Sequence, residues 1–255
     1  MFLNYGVFYI GAIIFFIINS IFSLLINGPL KWLRYKVSGH LDTNIYNDKS
    51  SSTKALLLLH GWNASEMQFI MSRPMIDQIL KEKNKDYRVY TFDLDRHNEI
   101  KCNNISDYTN RVIKYIREII YQKPTTKLII VGHCMGGLIA SEIAIKTNLV
   151  DTVVSLATPW YGAPILDWLS WHPSYSNSIH KQMMRDSAYI KNLRQLVLNS
   201  KHYKTITCGF KYDFIVPEGY YHLEADHIKN IEVFGYGHCL MIAIYGVWEK
   251  ILDVI

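Results

Sequence analysis

"VGHCMGG", residues 131–137, places a cysteine among three glycines directly after an apolar run. Gly132 and Gly136 stand two residues before and two residues after Cys134, and small neighbours let a nucleophile occupy a strained turn between a strand and a helix. The N–H of Met135, at the first turn of such a helix, would face a developing oxyanion. The stretch therefore predicts a turn that presents Cys134 as a nucleophile, at a position where serine is more common.

The rest of the chain alternates between strand and helix patterns, which favours a doubly wound, mostly parallel sheet. Short apolar runs predict strands at 54–60, 87–94, 127–131, 151–157, 204–210 and 231–234. Apolar residues at helical spacing predict a helix at 67–82 that is interrupted near Pro74, helices at 106–121 and 134–146, and a last helix from near His238 to the end of the chain. Ser106 is the expected N-cap of the second helix. We expect one α/β domain over 54–255.

Three residues that suit nucleophilic catalysis follow three predicted strands. Cys134, Asp213 and His238 occur in the chain order nucleophile, acid, histidine, and ligands of parallel sheets bind beyond the carboxyl ends of strands. In this interpretation Asp213 orients His238, and His238 accepts the thiol proton. Asp226 is the alternative acid, and His60 and His133 are interpreted as packing or loop histidines.

Six segments together resemble the α/β-hydrolase superfamily, specifically its small lipase- and esterase-like members. They are "LLLLHGW" (56–62), "VGHCMGG" (131–137), "LATPWYGAP" (156–164), "MMRDSAYIKNL" (183–193), "GFKYDFIVP" (209–217) and "GYGHCL" (235–240). The resemblance covers about 54–255 and implies an acyl-transfer site without a cofactor. By motif position it implies that Trp62 supplies the second oxyanion N–H beside Met135.

Cys134 is the departure from the usual serine of these lipase-like chains. Dienelactone hydrolases carry cysteine there, and the G-x-C-x-G box of polyhydroxyalkanoate synthases is similar to "GHCMGG", although those chains are longer. A thiol favours hydrolysis of acyl esters or thioesters through an acyl-enzyme. Two alternatives stay open: an acyltransferase that uses the same cysteine, and a non-catalytic, membrane-tethered binding protein on a hydrolase fold.

The first 36 residues predict a membrane anchor. Residues 5–26 are almost continuously apolar, no charge precedes Lys31, and the length suits a single helix across a bilayer. The basic flank of Lys31, Arg34 and Lys36 favours a cytoplasmic domain by the positive-inside rule, and the opposite orientation stays open. Residues 37–53 are polar and are expected to be a connector.

Composition argues against several other classes of protein. The 255-residue chain has a net charge of +5 with scattered Lys and Arg, so a nucleic-acid partner is not expected. Its four cysteines form no CxxC pair and its histidines show no ligand spacing, so no metal is expected and the thiols should be reduced.

An aromatic group follows the fourth predicted strand. Trp160, Tyr161 and Trp168 lie in an expected small helical cap over 160–204. They predict either ordinary cap packing or an apolar acyl pocket, since ligand pockets are commonly lined by aromatic side chains. A lipid or acyl substrate is the expected partner.

Overall fold

The computed structural model describes residues 51–94, 102–170 and 178–255. Six parallel strands form one sheet in the order β2-β1-β3-β4-β5-β6. The strands are β1 (Lys54–Leu59), β2 (Arg88–Phe92), β3 (Lys127–His133), β4 (Thr152–Leu156), β5 (Lys204–Tyr212) and β6 (Ile228–Tyr236). The predicted doubly wound parallel sheet is confirmed.

Seven α-helices of the described residues connect and cover these strands. They are α1 (Ser72–Glu82), α2 (Ile105–Tyr115), α3 (Met135–Lys146), α4 (Pro164–Leu169), α5 (Ser178–Met183), α6 (Ala188–Asn199) and α7 (Tyr245–Val254). A π-turn at Ile116–Ile120 extends α2, and single 3₁₀ turns lie at Glu66–Phe69 and Cys239–Ala243.

The sheet separates two apolar cores because side chains alternate across a strand. Leu57 and Leu59 of β1 pack in one core with α2, α3 and α6. Leu56 and Leu58, from the same strand, pack in the other core with α1 and α7. A strand buried on both faces reads as a continuous apolar run, which explains "LLLL" at this point of the sequence.

The structure differs from the sequence-based prediction in several local details, and hydrogen bonding explains two of them. Asn104, rather than Ser106, caps α2, because the Asn104 side chain and the Asp107 carboxylate form a reciprocal capping box. The Ser106 hydroxyl instead donates to Glu142 on α3. β6 is also longer than the predicted 231–234, because its pairing with β5 begins at Ile228. The capping box is a local interaction, whereas the added length of β6 comes from its tertiary pairing with β5.

The strand order reverses between β1 and β3. The chain goes from β1 outward to β2 and then returns across β1 to β3, so helices leave these two neighbours on opposite faces. Such a switch point opens a crevice beyond the strand ends, where ligands of open α/β sheets bind. Gly61 follows β1 and Cys134 follows β3, so the predicted nucleophile lies at this crevice.

The predicted anchor (1–36) and all but the last three residues of the connector (37–53) lie outside the described residues. Within 51–94, 102–170 and 178–255, no helix has the length and apolarity needed to cross a membrane.

Candidate active site

Cys134 occupies a strained turn between β3 and α3. Its φ of 53° and ψ of −120° fall in the left-handed half of backbone space, which few residues other than glycine adopt. A Cβ on Gly132 would lie 2.2 Å from the Gly136 carbonyl oxygen, so the turn closes only with glycine there. Cys134 is half-buried, and none of the four cysteines forms a disulfide. The turn therefore holds a free thiol at the N-terminus of a helix.

Asp213 and His238 form a buried hydrogen-bonded pair. His238 Nδ1 lies 2.7 Å from Asp213 Oδ2, and the side chains are 4% and 0% exposed. The other carboxylate oxygen, Oδ1, accepts from the N–H groups of Ile215 and Val216 at 2.8 and 3.0 Å. The carboxylate is thus held by its own loop and orients the imidazole. Asp226, the alternative acid, lies on the exposed surface.

The surroundings of His238 shift its pKa in opposite directions. Burial lowers the pKa of His238, but the charges of Asp213 and Cys134 and the hydrogen bond to Asp213 outweigh it, so the pKa stands well above its usual value. With Nδ1 occupied by Asp213, Nε2 is buried and makes no hydrogen bond of standard geometry among the described residues. Nε2 is therefore the ring nitrogen left to exchange a proton with the thiol, and such contacts commonly tighten only when substrate binds.

His133, next to Cys134, connects three loops of the site. Its Nδ1 accepts from Gln68 Nε2 at 2.9 Å, and its Nε2 donates to the His238 carbonyl at 3.1 Å. Gln68 Oε1 in turn accepts from the Gly61 N–H at 3.1 Å. Burial, and then the charge of His238, hold the pKa of His133 well below its usual value. The ring is therefore neutral at physiological pH.

The loop after β1 is held against the nucleophile. A Cβ on Gly61 would lie 3.1 Å from Cys134 Cβ, so the two backbones approach closely. His60 donates from Nδ1 to the Gly61 carbonyl at 2.8 Å while its Nε2 accepts from the Leu94 N–H. Trp62, the next residue, packs edge-on against His180 of α5 with ring centroids 4.4 Å apart. Trp62 and Met135 thus both belong to backbone that adjoins Cys134.

The aromatic residues of the cap divide into two groups. Trp160 is fully buried, and its indole N–H donates to Ser155 Oγ at 3.3 Å, so it packs in the core. Tyr161 and Trp168 are exposed, and the Arg194 guanidinium lies 4.2 Å from the Tyr161 ring. Of the predicted pocket residues, only these two therefore reach the surface.

An exposed apolar group borders the buried pair. We call it the aromatic rim, and it consists of Tyr212, Phe214, Phe234 and Tyr236 with Leu240. The Tyr212 and Tyr236 rings stack with centroids 4.8 Å apart, and Phe234 packs edge-on against both. Large apolar side chains grouped at a protein surface commonly mark a contact with a ligand, protein or membrane. The rim therefore places an apolar surface beside Asp213 and His238.

Sequence reasoning missed Gln68 and the role of His133. Gln68 lies in a 3₁₀ turn outside the quoted motifs, and only the fold brings it against His133. His133 had a signal, since it directly precedes the nucleophile. Among the described residues, no three His, Cys, Asp or Glu side chains are grouped as metal ligands would be. A surface depression lined by Asp151, Lys204 and His227 lies at the amino ends of β4 and β5, away from Cys134.

Known structures share this architecture at low sequence identity. A lipase-esterase related protein from Clostridium acetobutylicum is 20% identical with a TM-score of 0.61, over 80% of this chain and 95% of that one. The lipase BlEst2 from Bacillus licheniformis is 17% identical with a TM-score of 0.63, over 86% and 94%. A bromoperoxidase from Bacillus anthracis is 15% identical with a TM-score of 0.60, over 80% and 91%.

A family model extends this likeness to the sequence. No curated protein sequence matches the chain. The model described as PGAP1-like alpha/beta domain matches residues 52–251, which include Cys134, Asp213 and His238. The resemblance to the α/β-hydrolases is therefore confirmed, and the chain belongs to the PGAP1-like alpha/beta domain family.

Proposed function

We propose that the protein is a membrane-anchored hydrolase that cleaves acyl esters or thioesters through Cys134, His238 and Asp213. The observation that carries the proposal is the strained thiol at the N-terminus of α3 beside a histidine whose Nδ1 is bonded to a buried carboxylate. Lipases and esterases among the structural neighbours support the reaction class. The fold by itself would not indicate the reaction class, because this architecture carries many chemistries.

In the proposed reaction, His238 Nε2 takes the proton of the Cys134 thiol as Sγ attacks the acyl carbonyl carbon. The N–H groups of Met135 and Trp62 stabilise the oxyanion, and Asp213 stabilises the imidazolium. His238 then gives its proton to the leaving oxygen or sulfur, and an acyl-thioester on Cys134 remains. Water, deprotonated by His238, releases the carboxylic acid and regenerates the thiol.

Two features support a lipidic substrate delivered at a membrane. The aromatic rim gives the site an apolar border. Residues 5–26 have the length and apolarity of a membrane span, and their basic flank favours a domain on the cytoplasmic side. A reducing compartment would also keep Cys134 as a thiol.

Intact-mass spectrometry of the full chain in detergent tests the proposal. The protein is exposed briefly to a panel of acyl thioesters and oxoesters beside Cys134→Ala, with Cys102→Ser as a matched cysteine control. We expect an acyl adduct on the native chain and on Cys102→Ser, and none on Cys134→Ala. An adduct that decays in water indicates a hydrolase, whereas one that persists until a second nucleophile is added indicates an acyltransferase.

No adduct with any substrate, together with no alkylation of Cys134 by iodoacetamide at neutral pH, would contradict the proposal. That result would favour the non-catalytic binding protein.

A further inference from the structure

Three consecutive hydrogen bonds cross the site behind Cys134. The Gly61 N–H donates to Gln68 Oε1 at 3.1 Å, Gln68 Nε2 donates to His133 Nδ1 at 2.9 Å, and His133 Nε2 donates to the His238 carbonyl at 3.1 Å. The chain of bonds runs from the loop after β1 to the loop after β6. It therefore joins backbone on either side of the nucleophile.

The direction of these bonds allows only one protonation state. A backbone N–H can only donate and a carbonyl can only accept, so the two ends determine the Gln68 amide orientation and the His133 tautomer. A second proton on His133 would place Nδ1–H against the Gln68 amide N–H. Rotating that amide would place its N–H groups against the Gly61 N–H. The network is complete only with neutral His133, in agreement with its burial.

The ends of the network carry the two parts of the proposed chemistry. Gly61 precedes Trp62, whose N–H is a proposed oxyanion donor, and the Gly61 carbonyl is held separately by His60. The His133 and His238 rings are also in contact, with centroids 4.6 Å apart and ring planes inclined by 50°. A displacement of His133 would therefore move the loop after β1 and the general base together.

We propose that His133 is a positioning residue that, through Gln68, sets the spacing between the loop after β1 and His238 around Cys134. The oxyanion donor and the general base then reach the same carbonyl carbon at once, and misplacement by about 1 Å is enough to cost on the order of 10²-fold in rate. The inference rests on the proposed function, and it adds Gln68 and His133 to the groups that the reaction requires.

Two reactions of Cys134 test the two ends of the network separately, His238 at one end and the loop after β1 at the other. Alkylation by iodoacetamide needs the thiolate and hence His238, but it forms no oxyanion. Acylation by a soluble short-chain thioester needs the thiolate and also the N–H groups that stabilise the oxyanion. Each rate is measured by intact mass on the full chain for the native protein, Gln68→Met and His133→Asn. Gln78→Met is the matched control, because the Gln78 side chain is exposed on α1 and bonds to Glu82 of the same helix.

Gln68→Met removes the bond to Gly61 and leaves the bond between His133 and His238. We expect its acylation to fall at least tenfold while alkylation stays within twofold of the native rate. His133→Asn is too short to reach the His238 carbonyl, so both reactions should fall at least tenfold. Gln78→Met should match the native protein in both.

Gln68→Met that acylates within twofold of the native rate would overturn the proposal. So would equal losses of acylation and alkylation in Gln68→Met accompanied by a lower Tm, because that pattern indicates general loosening. Failure of the proposed function is a different result, since the native chain itself would then carry no acyl adduct on Cys134.

Discussion

The candidate site has a buried floor, which we define as Gly132, Asp213 and His238, and the exposed aromatic rim lies beside it. Asp213 is 3% exposed, whereas Phe214, the next residue, is 46% exposed. His238 is buried between Tyr236 and Leu240, which are both exposed. The loops after β5 and β6 therefore each supply a buried titratable side chain together with exposed apolar side chains. The buried floor would carry the chemistry, and the rim would select what reaches it.

The largest effect is expected from His238→Ala in the floor. Loss of the proposed general base should lower kcat/KM by on the order of 10³–10⁴-fold for soluble and membrane-embedded substrates alike. His202→Ala is the matched control and should stay within twofold, because His202 lies beside the amino ends of β4 and β5, away from Cys134, where it bonds the Ala144 carbonyl. Steady-state kinetics with both substrates check this. A loss of kcat/KM restricted to the membrane-embedded substrate would contradict the prediction, because His238 would then act in substrate access and not in the reaction.

Asp213→Asn should act through His238, with a loss of about 10³-fold and a changed pH profile. The Asp213 charge raises the pKa of His238 against the opposing effect of burial. Hydrolysis of the acyl-enzyme needs neutral His238, so its rate rises as pH rises through that pKa. Without the charge, the rising limb should move to lower pH. Acyl-enzyme decay followed by mass across a pH series measures the shift, and an unmoved limb would contradict the pairing.

Gly132→Ala tests how tightly the floor is packed. The added Cβ would meet the Gly136 backbone at 2.2 Å, so we expect a loss of about 3 kcal/mol in the free energy of unfolding. Gly246→Ala is the same substitution in α7 with nothing within 4 Å, and it should gain about 0.5 kcal/mol. Urea unfolding compares the two variants. Equal effects would show that the turn tolerates a side chain.

The smallest effect is expected from the rim. Replacing two exposed rings in Phe234→Ser/Tyr236→Ser should lower activity on substrate embedded in vesicles by roughly tenfold, because apolar area available for the bilayer is lost. Activity on a soluble thioester should stay within twofold. Leu196→Ser, an exposed apolar site on α6, is the control. Equal losses of activity on the two substrates would contradict the prediction, because the rim would then be required for the reaction itself.

Strongly periodic or motif-bearing segments were predictable from sequence, and groups joined only by long-range packing were not. Short apolar runs predicted all six strands, and their alternation with helical patterns along the chain predicted the parallel sheet. Trp160, by contrast, was predicted either for ordinary packing or for an acyl pocket, and only the structure shows that it lies in the core, because an aromatic residue after a strand can face either way. Ser106 was predicted to cap α2, but Asn104 is the cap, since the local sequence pattern suited both residues.

The sequence alone determined where a nucleophile, an acid and a histidine stand relative to strand ends, because glycine spacing and strand order are local properties of the chain. Only the tertiary structure decided that Asp213 rather than Asp226 bonds His238, and that Gln68 and His133 connect Gly61 to it. Gln68 and His133 are 65 residues apart, and His133 and His238 are 105 apart. Hydrogen bonds across such separations depend on how the strands are ordered and how their loops pack, which no stretch of sequence specifies by itself.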